Sequence, residues 1–178
     1  MTKELQNISQ AAIVLEAYNS SWDDKFAAEK KRLIAVAGDW LYGSVEHVGS
    51  TAVPGMIAKP IIDIMFGVKS LELAQPAILA LVQNGYKYWP YKPEVMHWFC
   101  KPSDEFRTHH LHLVPFESPL WNERLRFRNL LRSNSVIANG YANLKQELAI
   151  TYKDDRDEYT KKKWPYIQQV LHENKLTS

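Results

Sequence analysis

Apolar positions fall into blocks whose spacing changes along the chain. Ala12 to Ala17 reads AIVLEA and is closed by the break Tyr18-Asn19-Ser20-Ser21, which predicts a strand or extended lead-in. Beyond it Trp22, Phe26, Leu33 and Val36 recur at helical spacing and make one buried stripe. Glu29, Lys30, Lys31 and Arg32 form the wet side. Ser21 is the expected N-cap, Asp24 favours the positive helix end, and Gly38 is the expected stop. Ser44 to Val48 predicts a short strand, and Gly49 to Lys59 is polar and turn-rich. Pro60 to Val68 reads PIIDIMFGV, nearly all apolar, as a strand buried on both faces would be. Asp63 is the one charge inside that run. Ser70 opens a second predicted helix carrying Leu73, Ala77, Leu81 and Val82, and Gly85 stops it.

Tyr86 to Lys101, rich in aromatics and prolines, predicts one or two strands with a loop, its Trp89-Pro90-Tyr91 stretch filling core. Thr108 to Val114 predicts a strand. From Ser118 the pattern turns helical. Ser118 is an N-cap and Pro119 takes the first helical position, where its missing N–H costs nothing. Leu120, Arg124, Phe127, Leu130 and Leu131 mark one helix; Tyr141, Leu144, Leu148 and Tyr152 mark the next. A last helix runs roughly from Asp155 to Glu173, where Pro165 predicts a kink or restart. This order implies an α/β fold, a mixed β-sheet with helices packed on it. One domain is expected, with a sheet-containing part at about 10–116 and a helical part at about 118–174.

Composition narrows the class. The 178 residues suit one domain, and 46% apolar with 24% charged residues is a globular balance. A net charge of +2 implies neither DNA nor an acidic membrane surface as partner. The lone Cys100 cannot form an intramolecular disulfide, which fits a reducing compartment. No leader pattern opens the chain and no apolar run approaches the ~20 residues that span a bilayer. A cytoplasmic location is therefore expected.

Candidate chemistry gathers between Val45 and Val68. Gly49 lets a ligand approach the backbone, while Ser50, Thr51 and the turn amides suit phosphate. Lys59 adds a mobile positive charge. Asp63 is a hard oxygen ligand suited to Mg²⁺, and an acid in an apolar strand is costly unless paired or metal-bound. The structural alternative leaves Ser50 and Thr51 as caps and Asp63 paired with Lys59. Arg124, Arg126, Arg128 and Arg132, with Trp121 and Phe127, could hold phosphate and stack bases, or simply form a charged face. Arg128 and Arg132 lie four apart and share a face. Arg107 is a comparable candidate. Lys161 to Lys163 reads as a solvated face.

Glu46-His47-Val48-Gly49-Ser50-Thr51-Ala52-Val53-Pro54-Gly55, followed by Lys59-Pro60-Ile61-Ile62-Asp63-Ile64, resembles the signature of the GrpB family. Tyr18 and Trp22, the Arg107-Thr108-His109-His110-Leu111-His112 strand, the Phe127-to-Arg132 segment, and Tyr141, Lys145 and Leu148 extend the resemblance over nearly the whole chain. It implies a nucleotidyltransferase-type fold, in which a G-S turn holds nucleotide phosphates and two acids spaced D-x-D, often with a third, hold two metals. GrpB-like domains also occur fused to dephospho-CoA kinase, which points to nucleotide or coenzyme A metabolism.

The chain departs from that pattern. Ile61 and Met65 flank Asp63 at the same-face positions, so one D-x-D acid is absent. Strand alternation puts Thr108, His110 and His112 on one face and His109, Leu111 and Leu113 on the other. Two imidazoles and a carboxylate suit a transition metal better than Mg²⁺, and His47 is a fourth candidate ligand. The expected function is a metal-dependent nucleotidyltransferase-like protein that takes a nucleotide or another small phosphate-bearing molecule with Mg, Mn or a transition metal. In it Gly49, Ser50 and Thr51 cradle phosphate, Lys59 neutralises charge, Asp63 binds metal, His112 and His110 assist, and Arg107, Arg128 and Arg132 steady anionic groups. The alternatives are a catalytically inactive binding or folding-accessory module, and a metal hydrolase or lyase built on His47, Asp63, His110 and His112.

Overall fold

The computed structural model describes residues 12–175. Of the expected sheet-containing part, positions 10 and 11 lie outside the described residues. Five helices and five strands follow in the order α1 (Ser21–Ala37), β1 (Val45–Val48), β2 (Ile62–Val68), α2 (Gln75–Gln83), β3 (Lys87–Trp89), β4 (His97–Pro102), β5 (Arg107–Pro115), α3 (Pro119–Ser133), α4 (Ser135–Thr151) and α5 (Arg156–Glu173). The strands form one mixed sheet in the order β1-β2-β5-β4-β3. Only β2 and β5 run parallel; the other three pairings are antiparallel.

Strand alternation divides the apolar residues between two layers. Val45, Ile62, Ile64, Phe66, Phe99, Leu111 and Leu113 meet Trp22, Leu33 and Ala37 of α1 and Ala77 and Leu81 of α2. On the opposite face Val48, Met65 and Val114 pack with Met96 and with Trp121 of α3. A third cluster joins Val53 and Met56, in the loop before β2, to Leu131 and Tyr141 of the helical part. β2 is thus covered on both sides, as its uninterrupted apolar run predicts.

Several local expectations change. Ala12 to Ala17 makes one bridge, Glu16 to Ala58, rather than a strand. Its Ile13 amide donates to the Lys153 carbonyl at 2.7 Å, which ties the lead-in to the helical part. Ser20, not Ser21, is the N-cap of α1, and the side chain that receives the Ser21 amide is that of Asn19, at 2.9 Å. Glu29 does not lie on a wet face: it is buried, accepts from the Tyr86 hydroxyl at 2.7 Å and pairs with Lys101. The Ser70 hydroxyl caps a turn that precedes α2, leaving Leu73 exposed. Ser118 does cap α3, accepting from the Trp121 amide at 3.3 Å. α5 neither stops nor restarts at Pro165, which sits on its exposed side where water can satisfy the freed carbonyl.

Candidate functional site

β1 ends where Gly49 adopts φ +73° and a single 3₁₀ turn, Ser50–Ala52, begins. Only glycine fits. A Cβ placed there would stand 2.5 Å from Asp63 Oδ2 and 3.0 Å from Asp63 Cβ. The turn and the strand carboxylate therefore meet, as their shared chemistry requires. Val48 pairs with Asp63 across β1 and β2, and Asp63 pairs with His110 across β2 and β5, so the acid lies at the centre of the sheet face turned toward the helical part. Its side chain keeps 31% exposure despite the apolar strand that carries it.

Asp63 is not paired with Lys59. Its Oδ1 lies 2.9 Å from His110 Nδ1 and 3.9 Å from His112 Nε2. Burial pushes the carboxyl up, but the hydrogen bonds of His110 and His112 outweigh this and hold it well below its ordinary value. Asp63 is therefore ionised at neutral pH. With Nδ1–H donating to the carboxylate, a neutral His110 turns its Nε2 lone pair outward from the pair. That Nε2 is buried and has no hydrogen-bond partner among the described residues. Burial, reinforced by Arg124, pushes the His112 imidazole down to about 3. His112 is neutral, with Nδ1 3.4 Å from Met96 Sδ.

Lys59, Lys163 and Arg124 feel this carboxylate, and Lys145 stands at the adjoining turn. Lys59, in the loop before β2, places Nζ 5.2 Å from the centre of the Tyr159 ring. Lys163, one turn beyond Tyr159 on α5, places its own Nζ 4.3 Å from the same ring. Lys145, buried on α4, donates to Ser50 Oγ at 3.0 Å and to the Ile57 carbonyl, and packs on Tyr141. Burial lowers all three, Lys59 to about 8 and Lys145 and Lys163 to about 7. Asp63 pulls Lys59 and Lys163 back up, whereas Lys59 and Lys163 repel one another. Arg124 of α3 lies near enough that its charge is felt by both Asp63 and His112.

Lys163 corrects the reading of Lys161 to Lys163 as a solvated face: Lys161 and Lys162 are exposed, and Lys163 turns inward. Neither Lys145 nor Lys163 stood out as a site candidate in the sequence. The available signal was their spacing, since Lys145 follows Tyr141 by four and Lys163 follows Tyr159 by four, each on its helix's buried stripe.

Other candidates are drawn elsewhere. Thr51 is buried, and its hydroxyl donates to the Ile61 carbonyl at 3.2 Å. His47 pairs with Ile64 and so lies on the opposite sheet face from Asp63. Its ring stacks on Phe26 at 4.7 Å, its Nε2 meets Thr51 Oγ1 at 3.0 Å, and burial pushes it down to about 4. Arg128 donates from Nη1 to Glu46 Oε2 at 2.8 Å and to the His47 carbonyl at 2.9 Å. Arg132 donates from Nε to the Ala52 carbonyl at 2.8 Å. These two arginines fasten α3 to β1 and to the turn. Arg107 pairs with Asp104 and lays its guanidinium on Trp98 at 5.1 Å. Among the described residues no three His, Cys, Asp or Glu side chains are placed to hold one metal ion. No helix among them is long and apolar enough to cross a membrane.

The family model described as "GrpB protein" matches residues 12–173. The chain is 31% identical over 171 residues to the glutamate-rich protein GrpB of Alkalihalophilus pseudofirmus, covering 93% of this chain and 98% of that one. It is 34% identical to the UPF0157 protein YqkA of Bacillus subtilis, covering 85% of this chain but only 44% of that longer protein. The crystal structure of the conserved protein GrpB from Enterococcus faecalis superposes with a TM-score of 0.75 at 30% identity, over 89% of this chain and 99% of that one. The chain belongs to the GrpB family.

Proposed function

We propose that this protein binds a nucleotide, or another small molecule that carries phosphate, between the Asp63 face of the sheet and helices α3 to α5. The two parts then act as one unit, because each supplies half of the site. The observation that carries this reading is the contrast between one carboxylate and its surroundings. Asp63 reaches into the Gly49-Ser50 turn, where Ser50 receives Lys145, while Lys59, Lys163 and Arg124 all feel its charge. Among the described residues none of Lys59, Lys145, Lys163 and Arg124 forms an ion pair with a carboxylate. Buried and half-buried cations that share one carboxylate are costly, and an anionic ligand lowers that cost.

Each group has a chemical role in this reading. Ser50, its hydroxyl already accepting from Lys145, donates its own proton to a phosphate oxygen. The ammonium groups offset phosphate charge. Asp63 holds His110 so that Nε2 can take a proton from an acceptor hydroxyl as that oxygen bonds to phosphorus and the bond from phosphorus to the leaving phosphate's oxygen breaks, the departing phosphate anion staying with the ammonium groups. A divalent metal fits only in a restricted way. The donor set lacks an all-protein cage, and Asp63 is the residue that would hold a magnesium or manganese ion shared with ligand phosphates. Such an ion, when bound, would supply charge neutralisation at phosphorus.

Isothermal titration of the full chain with ATP, GTP, CTP and UTP, in Mg²⁺ or Mn²⁺, tests the reading. At least one should bind, and Asp63→Asn should weaken it at least tenfold. Silence with all four removes the nucleotide, and silence with inorganic phosphate and tripolyphosphate as well overturns the reading.

A specific observation favours a second reading, ligand binding without chemistry. Met65, at the same-face position where a second acid would stand, is fully buried. Asp63→Asn then leaves affinity unchanged, and mass spectrometry finds the nucleotide intact after prolonged incubation.

A further inference from the structure

We propose that Lys59, Lys145 and Lys163 form a subsite for a chain of linked phosphates, so that the ligand is recognised through a di- or triphosphate and not through a single phosphate. This deepens the phosphate-ligand reading above and rests on it. It is carried by a geometry that a single phosphate does not explain.

The three ammonium groups come from three separate elements, the loop before β2, α4 and α5, yet face one region. Lys59 and Lys163 share the Tyr159 ring, at 5.2 Å and 4.3 Å from its centre, and their like charges repel one another. Tyr159 is itself buried, which fixes the ring on which both stems pack. Lys145 stands at the Ser50 hydroxyl, where the charge of Lys163 is felt. The cations therefore follow in the order Lys145, Lys163, Lys59, a row from the Gly49-Ser50 turn past α5 to the loop before β2. A row matches charges strung along a chain. A compact monoanion or dianion would meet one or two members and leave the rest unbalanced. Among the described residues Asp63 is the one carboxylate whose charge acts on Lys59 and Lys163, and its Oδ1 is engaged by His110. Lysine rather than arginine suits the task, since an ammonium on a flexible stem acts as a point charge at each bridging or terminal oxygen.

Placement of the row has a structural consequence. Its members span the sheet-containing part and the helical part, so a bound polyphosphate would cross-link the two.

The test uses the full chain and inorganic probes without nucleoside: orthophosphate, pyrophosphate and tripolyphosphate, titrated by calorimetry without added metal. Affinity should rise at each step, by roughly tenfold per added phosphate. Lys59→Met and Lys163→Met keep the apolar stems and should each weaken tripolyphosphate binding about tenfold or more. Lys162→Met, an exposed neighbour on α5, should change nothing and controls for overall charge. Thermal melts confirm that each variant is folded. Equal affinity for all three anions overturns the subsite, as does tripolyphosphate binding unmoved by both lysine variants or equally weakened by Lys162→Met. Failure of the parent reading looks different. Tripolyphosphate binding that depends on Lys59 and Lys163, with no binding of any nucleoside triphosphate, sinks the nucleotide and keeps the subsite. Nucleotide binding that ignores phosphate number and both lysines does the reverse.

Discussion

Gly49→Ala probes the junction on which the site depends. Two costs add. An alanine at φ +73° and ψ −172°, a region that essentially only glycine occupies, carries about 1–3 kcal/mol of backbone strain. Its Cβ would also lie 2.5 Å from Asp63 Oδ2, far inside van der Waals contact, so the carboxylate must swing away and surrender its 2.9 Å bond to His110. A hydrogen bond to a charged group contributes about 1.5–3 kcal/mol, and the lower half applies because Asp63 keeps 31% exposure. The total is about 2.5–5 kcal/mol, equivalent to a fall in Tm of roughly 5–20 °C in a chain of this size. Gly55→Ala is the internal reference: φ is +77°, but nothing lies within 4 Å of the added Cβ, so only strain of about 1–2 kcal/mol is expected. Differential scanning calorimetry of Gly49→Ala, Gly55→Ala, Asp63→Ala and the Gly49→Ala/Asp63→Ala double variant separates the terms. In the double variant the cost of Gly49→Ala should fall by the part that the struck oxygen and its lost bond contribute, about 1.5–2 kcal/mol, leaving backbone strain and the 3.0 Å contact with the Cβ at position 63. Should both glycine variants cost the same, or the cost of Gly49→Ala be undiminished without the carboxylate, then the turn and the acid do not meet as described.

Stability should also rise with pH over an unusual range. Lys59, Lys145 and Lys163 are lowered to about 8, 7 and 7, so the unfolded chain binds more protons than the folded one from about pH 7 up to the ordinary lysine value of about 10.4. Unfolding free energy therefore increases as pH rises through that window, and Tm measured without phosphate should climb between pH 7 and pH 9; a flat or falling profile contradicts the burial of these groups. At the acid end His47 and His112, lowered to about 4 and 3, and Asp63, held below its ordinary value, all act in one direction: their contribution to stability is complete above about pH 6.5 and is lost as pH falls. Acid titration by circular dichroism checks this, and a chain equally stable at pH 4 and pH 7 rejects it. Arg128→Ala removes the bonds to Glu46 and the His47 carbonyl and should cost about 2–3 kcal/mol, while the affinity of the folded protein for tripolyphosphate stays within about twofold. Lys at that position should not restore stability, since one ammonium cannot replace the guanidinium fork. A large loss of affinity in Arg128→Ala would instead make that arginine a ligand contact.

What could be read in advance divides along a physical line. Hydrophobic spacing carries the element order, because burial is what spacing records: β2 and the cap at Ser118 follow from pattern and side-chain chemistry alone. Asp63 was legible because an acid inside PIIDIMFGV needs a reason, and Gly49 because a turn beside it needs freedom at φ. Charged residues on helices were the blind spot. A sequence says that Arg128, Arg132, Lys145 and Lys163 are charged, not where their long stems carry the charge. Two arginines counted as ligand contacts spend their guanidinium groups on β1 and on backbone carbonyls. Two lysines that drew no notice as site residues point inward, one of them buried as fully as the core around it. His47 was misplaced for a different reason. Its face depends on the antiparallel register that sets it opposite Ile64, and register is a property of the assembled sheet.

The same distinction decides how the site should be weighed. Bonded arginines are accounted for by the fold, and removing one should damage the fold first. Lys59 and Lys163 are not accounted for in that way, since each rests on an aromatic ring and acts on the other unfavourably. A stable protein keeps such groups when something outside the chain completes them. If a Lys59→Met/Lys163→Met double variant proves more stable than the parent in phosphate-free buffer, yet gains less in Tm when tripolyphosphate is added, the two lysines are held against stability for the sake of a ligand. If the double variant is less stable without any anion and gains as much with one, their role is packing, and the row of cations has no function that the fold does not already explain.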